Sequence, residues 1–143
     1  MPIIYEPAGK AREYSPLACN LYRGCGHRCL SCYAPSALHM TRESFHASPA
    51  PRIDLLSQLR DDAAKAEARG ETREILLSFT SDAYQPIDAE TKLARKALEI
   101  LTRHHLTVTV LTKGGTRACR DFDLLARNPK NAFATTLTTL DSA

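Results

Sequence analysis

No apolar run in the 143 residues approaches the roughly 20 that a membrane-spanning helix requires, so no membrane association is expected. The stretch Met1–Lys10 holds Glu6 and two prolines and no apolar core. It does not read as a secretory leader, and a cytoplasmic location is the default expectation. Charge of one sign is also scarce in excess: 19 Lys+Arg against 16 Asp+Glu leave +3, too little to argue for nucleic acid by itself. An even cysteine framework is missing too. There are five cysteines, and a small secreted domain usually pairs an even number behind a leader. In a reducing compartment, clustered thiols more often bind metal.

What is present suits one ordinary globular domain: 43% hydrophobic and 24% charged residues. Residues 1–16 read as an irregular arm with Pro2, Pro7, Gly9 and Pro16, and residues 17–143 as the core domain. Leu17–Tyr22 is a short apolar segment that suits a buried strand. Gly24 and Gly26 then break regularity, and Pro35, Pro49 and Pro51 keep the following stretch from being one helix. Asp54–Arg69 predicts a helix, with Leu55, Leu56, Leu59, Ala63 and Ala66 on one face, Asp54 as its cap and Gly70 as its stop. Ile75–Thr80 predicts a strand. Asp88–His104 predicts a second helix with Leu93, Ala97, Leu98 and Leu101 as its stripe and Asp88 as its N-cap. Leu106–Thr112 is a β-branched strand ended by Gly114 and Gly115, Phe122–Arg127 a short third helix, and Ala132–Leu140 a last strand.

This alternation implies an α/β fold with parallel strands built from right-handed β-α-β units. Ligands gather at the carboxyl ends of such strands. The cysteine loop, the segment Ser81–Gln85 and Lys113 all fall just after predicted strands, so three chemical features converge on one rim. The sequence stops soon after the last predicted strand with no helix to cover it. A sheet truncated after about the fourth strand, or completed by another chain, is therefore expected.

Cys25, Cys29 and Cys32 form C-x3-C-x2-C. A short loop of this kind can wrap three corners of a [4Fe–4S] cube, and three protein ligands leave one iron open for a small-molecule chelator. Zinc is the alternative. It usually takes four ligands, often as two pairs; a second pair is absent, which leaves His27 or Cys19 to complete such a site. A zinc-stabilised module using Arg12, Arg23 and Arg28 on nucleic acid is the rival from a different class, although a parallel sheet is more than such a module needs.

The cysteine loop resembles that of the radical S-adenosylmethionine superfamily. Asn20, Tyr22, Arg23, Gly24, Cys25, His27, Cys29, Cys32, Tyr33 and Ala34 are similar to the spore photoproduct lyase-like (DNA repair photolyase-like) branch. So are Ser81-Asp82-Ala83-Tyr84-Gln85-Pro86, Lys113 and the TTLD at 138–141. The resemblance implies the front part of a partial (β/α)6 barrel. It also implies a [4Fe–4S] cluster and S-adenosyl-L-methionine as cofactors, and reductive cleavage to methionine and a 5′-deoxyadenosyl radical that abstracts a substrate hydrogen.

Carried over residue by residue, Cys25, Cys29 and Cys32 match the metal ligands. Ser81 and Asp82 match positions near the methionine amino group, although Asp82 equally suits a turn cap. Lys113 would pair with the methionine carboxylate, or lie solvated beside the Gly-Gly turn. Thr136 and Thr138 share one strand face and could reach the ribose, with β-propensity the plainer reading. Tyr33 would line the adenine pocket. His27 would hydrogen-bond near the cluster or sit at the surface. Tyr84 and Gln85 would meet substrate or form the loop. Cys19 reads as a strand residue, and Cys119 as a small buried or half-buried thiol in the third helix. The pattern departs from the family's at Ser31, where an aromatic residue is usual. The downstream hydrogen-donor cysteine of the lyase lies beyond this length, so thymine-dimer repair is not carried over. An electron donor of flavodoxin or ferredoxin type is the expected partner, and nucleic acid is an open one.

Overall fold

Short apolar strands alternate with amphipathic helices, and the computed structural model, which describes residues 1–137, folds them into an α/β unit. In chain order the elements are β1 (Ile4–Tyr5), β2 (Leu17–Cys19), β3 (Tyr22–Arg23), α1 (Ala34–Ala37), α2 (Arg42–Ala47), β4 (Ala50–Pro51), α3 (Leu55–Ala68) and β5 (Ile75–Leu77). Then follow α4 (Asp88–Thr91), α5 (Leu93–Arg103), β6 (Val108–Thr112), α6 (Phe122–Leu125) and β7 (Ala132–Thr135). Two 3-10 turns lie at Gly9–Glu13 and Gly115–Asp121.

The main sheet has the order β1-β2-β5-β6-β7. Its last four strands run parallel, with Leu17 opposite Ile75, Ile75 opposite Val108, and Thr109 opposite Ala132. This is the expected succession of parallel strands. β1 adds an antiparallel edge that the sequence pattern did not announce, because two residues carry no periodicity. Ile3 is buried, and the Asp62 carboxylate on α3 accepts hydrogen bonds from the Ile3 and Ile4 N–H groups, so the arm is tied down rather than irregular throughout. β3 and β4 form a separate two-stranded ribbon.

Leu55, Leu59, Ala63 and Ala66 of α3 are buried, as are Leu93, Ala97, Leu98 and Leu101 of α5, so both predicted stripes face the core. Each fully buried leucine contributes about 1.5–3 kcal/mol. Gly70 ends α3 with φ +68°, a conformation glycine adopts without a Cβ penalty. Asp54 does not cap α3 through its side chain; its backbone is left-handed at φ 52°.

The helix expected over Asp88–His104 is two helices, broken at Lys92 with φ +50°. Asp88 lies inside the first of them and caps the second: its Oδ1 accepts from Ala94 N–H at 2.9 Å. The Tyr22 hydroxyl donates to the same oxygen at 2.6 Å, and the Arg120 guanidinium reaches Oδ2. Two partners from distant elements, Tyr22 and Arg120, together with the nearby Ala94 N–H, therefore turn the Asp88 carboxylate, and α4 ends after one turn.

The turn from α3 into β5 is held by charge. Glu71 accepts from the Arg73 guanidinium at 2.9 and 2.8 Å and from the Thr72 and Arg73 N–H groups. Arg73 above all, with those N–H groups adding to it against the opposing effect of burial, holds the Glu71 carboxyl down at about 2. The stabilisation is complete above the unfolded-state value and is lost as pH falls through the folded one. Glu71→Gln is expected to lower stability at pH 7 by about 1 kcal/mol, the scale of a partly solvated pair, and to flatten the acid limb of a urea-stability profile. An unchanged acid limb would refute it.

Candidate metal–cofactor site

The loop that leaves β2 carries its thiols across the carboxyl end of the sheet. Cys25, Cys29 and Cys32 line one cavity of about 170 Å³ together with Ser78, Phe79, Ser81 and Asp82 after β5, Thr112 and Lys113 at the end of β6, and Thr136 after β7. Of the residues singled out from sequence, Tyr33, Ser81, Asp82, Lys113 and Thr136 are brought together with the three cysteines. Thr138 lies outside the described residues.

Local sequence explains the loop's shape. Gly24 sits at φ +74°, and a Cβ there would meet the Phe45 carbonyl oxygen at 2.5 Å, so only glycine lets the chain pass α2 so closely. The Cys29 carbonyl accepts from Cys32 N–H at 3.2 Å and from the Arg42 guanidinium at 2.9 Å. Cys25 is buried, and its carbonyl lies 2.7 Å from Nδ1 of His46. Burial pushes the Cys25 thiol up, against the backbone N–H groups of His27 and Asp82, which favour the thiolate.

Asp82 is the knot of the site. Its Oδ1 accepts from the Thr112 hydroxyl at 2.6 Å and from Tyr84 N–H at 2.8 Å, and its Oδ2 accepts from Lys113 N–H at 2.7 Å. Nε2 of His27 stands 3.3 Å from Oδ2. Burial raises the Asp82 carboxyl, but the His27 ring, the Thr112 hydroxyl and the two N–H groups outweigh it and leave it below the usual carboxylate range. The carboxylate is thus spent on joining the cysteine loop, the β5 end and the β6 end, which includes the turn role weighed for it from sequence.

Two side-chain amides cross-connect the same strand ends. Asn20, just after β2, accepts from Phe79 and Thr80 N–H at 2.7 and 2.8 Å and donates to the Tyr5 hydroxyl. Gln85, fully buried after β5, accepts from Gly26 N–H at 2.8 Å and donates to the Gly24 carbonyl at 3.2 Å. Gln85 therefore does form the loop, as one of its two sequence readings held. Tyr84 is buried with its hydroxyl donating to Asp121 at 3.0 Å, on the loop side of its two readings. Tyr33 is half-exposed and donates to the Phe79 carbonyl at 2.7 Å, its ring edge-on to Phe79. Those two rings flank the cavity whose wall at Ser31 has none.

The remaining cysteines stand apart. Cys19 is a buried β2 residue, as its strand reading implies, and burial pushes its thiol up to about 12, so it stays protonated. Cys119 is exposed in the 3-10 turn at Gly115–Asp121, which corrects the buried or half-buried thiol in the third helix expected from sequence: the three-residue repeat turns Ala118 and Asp121 inward and leaves Cys119 off that face.

Among the described residues, no three His, Cys, Asp or Glu side chains converge on a single ion. The ligands of a zinc ion would all have to reach one centre at about 2.0–2.3 Å. A cubane is several ångströms across and each thiolate binds its own iron, so its ligands stand further apart. The hydroxyls of Ser78 and Ser81 are buried at the cavity without a protein partner, and such groups fit a polar ligand there. Donor set and orphaned hydroxyls both suit an iron–sulfur cluster with a polar cofactor beside it.

Fold and site together define a class: an α/β protein whose mostly parallel sheet presents a thiol loop at its ligand-binding rim. The family model described as the radical SAM superfamily matches residues 19–143, and the chain belongs to that superfamily. None of the curated proteins or solved structures matches it. Membership implies a radical SAM enzyme that cleaves S-adenosylmethionine by means of a [4Fe–4S] cluster. The five-stranded mixed sheet is consistent with a partial barrel of that kind. No helix among the described residues is long and apolar enough to cross a membrane.

Proposed function

We propose that Cys25, Cys29 and Cys32 hold the cluster and that S-adenosylmethionine lies in the cavity across the ends of β5, β6 and β7. The observation that carries this reading is the meeting of three thiols and two unpartnered buried hydroxyls at one strand-end cavity. When bound, the cluster supplies the electron that splits the sulfonium, yielding methionine and a 5′-deoxyadenosyl radical. The chain's own residues bind and orient. The ammonium of Lys113, with no carboxylate partner among the described residues, pairs with the methionine carboxylate. The Ser81 hydroxyl accepts from the methionine amino group, and Asp82 acts through its neighbours by fixing Lys113 and His27. Tyr33 flanks the adenine, and Thr136 faces the ribose. A flavodoxin or ferredoxin-like protein supplies the electron.

Within the superfamily, the likeness of the cysteine loop and of Ser81–Pro86 supports the spore photoproduct lyase-like branch, and nucleic acid as the substrate class. Arg12, Arg23 and Arg28 are exposed and available to phosphates, so binding to nucleic acid is expected to weaken with salt. The defining experiment is anaerobic reconstitution with iron and sulfide, followed by reduction with S-adenosylmethionine. The expected outcome is a brown protein that releases 5′-deoxyadenosine and methionine. A colourless protein holding one tight zinc would overturn the reading. Lys113→Ala is expected to weaken S-adenosylmethionine binding by about tenfold or more, the scale of one charge-assisted contact, as read by equilibrium dialysis. Unchanged affinity would remove Lys113 from the site.

A further inference from the structure

Cys25 lies between two peptide groups that the side chain of one distant residue grips. Gln85 Oε1 accepts from Gly26 N–H at 2.8 Å, and Gln85 Nε2 donates to the Gly24 carbonyl at 3.2 Å. Both polar ends of the amide are used, and the residue is fully buried. The segment that carries Gln85 is itself fixed. Gln85 N–H bonds the Asp82 carbonyl, the Gln85 carbonyl accepts from Asp88 N–H, and the Tyr84 carbonyl accepts from the Arg117 guanidinium at 2.9 Å. Pro86 packs beside Gly26, where an added Cβ would lie 3.4 Å from its ring. Asn20 makes the reciprocal connection, from the end of β2 to Phe79 and Thr80 after β5. Two strand ends thus exchange side-chain amides, each holding the backbone that follows the other.

We infer that Gln85 is a positioning residue for the Cys25 ligand, bracketing it on both sides and so setting the direction of its sulfur. This rests on the reading that Cys25 binds the cluster. The bonds fix the Gly24 and Gly26 peptides, and with them the backbone torsions that orient the Cys25 side chain. They also turn the Gly26 N–H toward Gln85. A ligand bracketed in this way enters the metal site already oriented, and outer partners of that kind commonly govern metal retention by ten- to hundredfold.

The test uses Gln85→Met, which keeps the length of the side chain and loses both hydrogen bonds, beside Ile100→Val, a core change on α5 remote from the loop. Both proteins and the parent chain are reconstituted with iron and sulfide. Iron release to a chelator is then followed below their melting temperatures, and the electron paramagnetic resonance spectrum of the reduced cluster is recorded. Gln85→Met is expected to release iron about tenfold faster and to show a shifted spectrum, whereas Ile100→Val lowers Tm and changes neither. Release and spectrum equal to the parent's would overturn the inference. A second measurement needs no variant. In the parent chain the Gly26 amide is expected to exchange with deuterium as slowly as the core strands, and rapid exchange there would overturn the inference as well. Failure of the parent chain to take up iron and sulfide would instead overturn the cluster reading, while the Gly26 exchange rate would still decide whether Gln85 holds the loop.

Discussion

Cys25→Ser, Cys29→Ser and Cys32→Ser are each expected to abolish the visible absorption of the reconstituted protein and to bring its iron content close to zero, while Cys119→Ser retains both. The contrast follows from position. Cys25, Cys29 and Cys32 line one cavity, whereas Cys119 is exposed in a 3-10 turn elsewhere. A serine hydroxyl keeps nearly the size of the thiol but is a poor ligand for iron. Three ligands that each hold a different iron cannot substitute for one another. Cys19 sharpens the test, because it is fully buried in β2 with its thiol pushed up to about 12. Cys19→Ala should cost some stability, through a small core void, yet leave iron and sulfide content intact. Equal loss of iron from the Cys119 variant, or full retention by any of the loop variants, would sink the assignment.

Gly24→Ala is expected to destroy cluster loading and to destabilise the protein by roughly 3–5 kcal/mol, adding a left-handed backbone to an unrelieved clash. A methyl at this position would stand 2.5 Å from the Phe45 carbonyl oxygen and 3.4 Å from Pro49 Cα, both backbone atoms that cannot swing away. At φ +74° an L-residue is strained even without that contact. The loop must then part from α2, which also disturbs the contact between His46 and the Cys25 carbonyl. Gly9→Ala is the matching control, since its φ is +59° but no atom lies within 4 Å of the added methyl. It should cost only about 1 kcal/mol and leave iron content unchanged. Urea denaturation and iron analysis on the two variants decide the point; similar losses for both would refute the close-approach argument.

The parts of the fold that could be read from sequence are those that repeat. The stripes Leu55–Leu59–Ala63–Ala66 and Leu93–Ala97–Leu98–Leu101 mark α3 and α5, and the β-branched run before Thr112 marks β6. Their alternation suffices for a parallel sheet with the thiols, Ser81–Gln85 and Lys113 on one rim. What escaped depends on single tertiary contacts. Nothing local to Lys92 announces a break, because the cause is Asp88 being drawn to Tyr22 and Arg120. β1 exists because Asp62 of α3 holds the N–H groups of Ile3 and Ile4. In the site, cysteine spacing and a family likeness pointed to Cys25, Cys29 and Cys32, the residues proposed above as metal ligands. Asn20 was visible only as a member of that likeness, and Gln85 only as part of a rim segment with two open readings, since the duty of an amide depends on which backbone lies opposite. Ser78 lay inside a predicted strand, and only its burial without a partner brings it forward.

The sequence distance spanned by the site's bonds has a consequence for how the chain folds. The grip of Gln85 on the Gly26 amide closes a span of 59 residues, whereas the bond between Asp82 and Thr112 closes one of 30. Longer closures cost more chain entropy, and a topology rich in distant pairings folds more slowly. The nucleus is therefore expected around β5, α5 and β6, with β2 and its loop docking afterwards. Iron would then be captured late, by a scaffold whose other half is already in place.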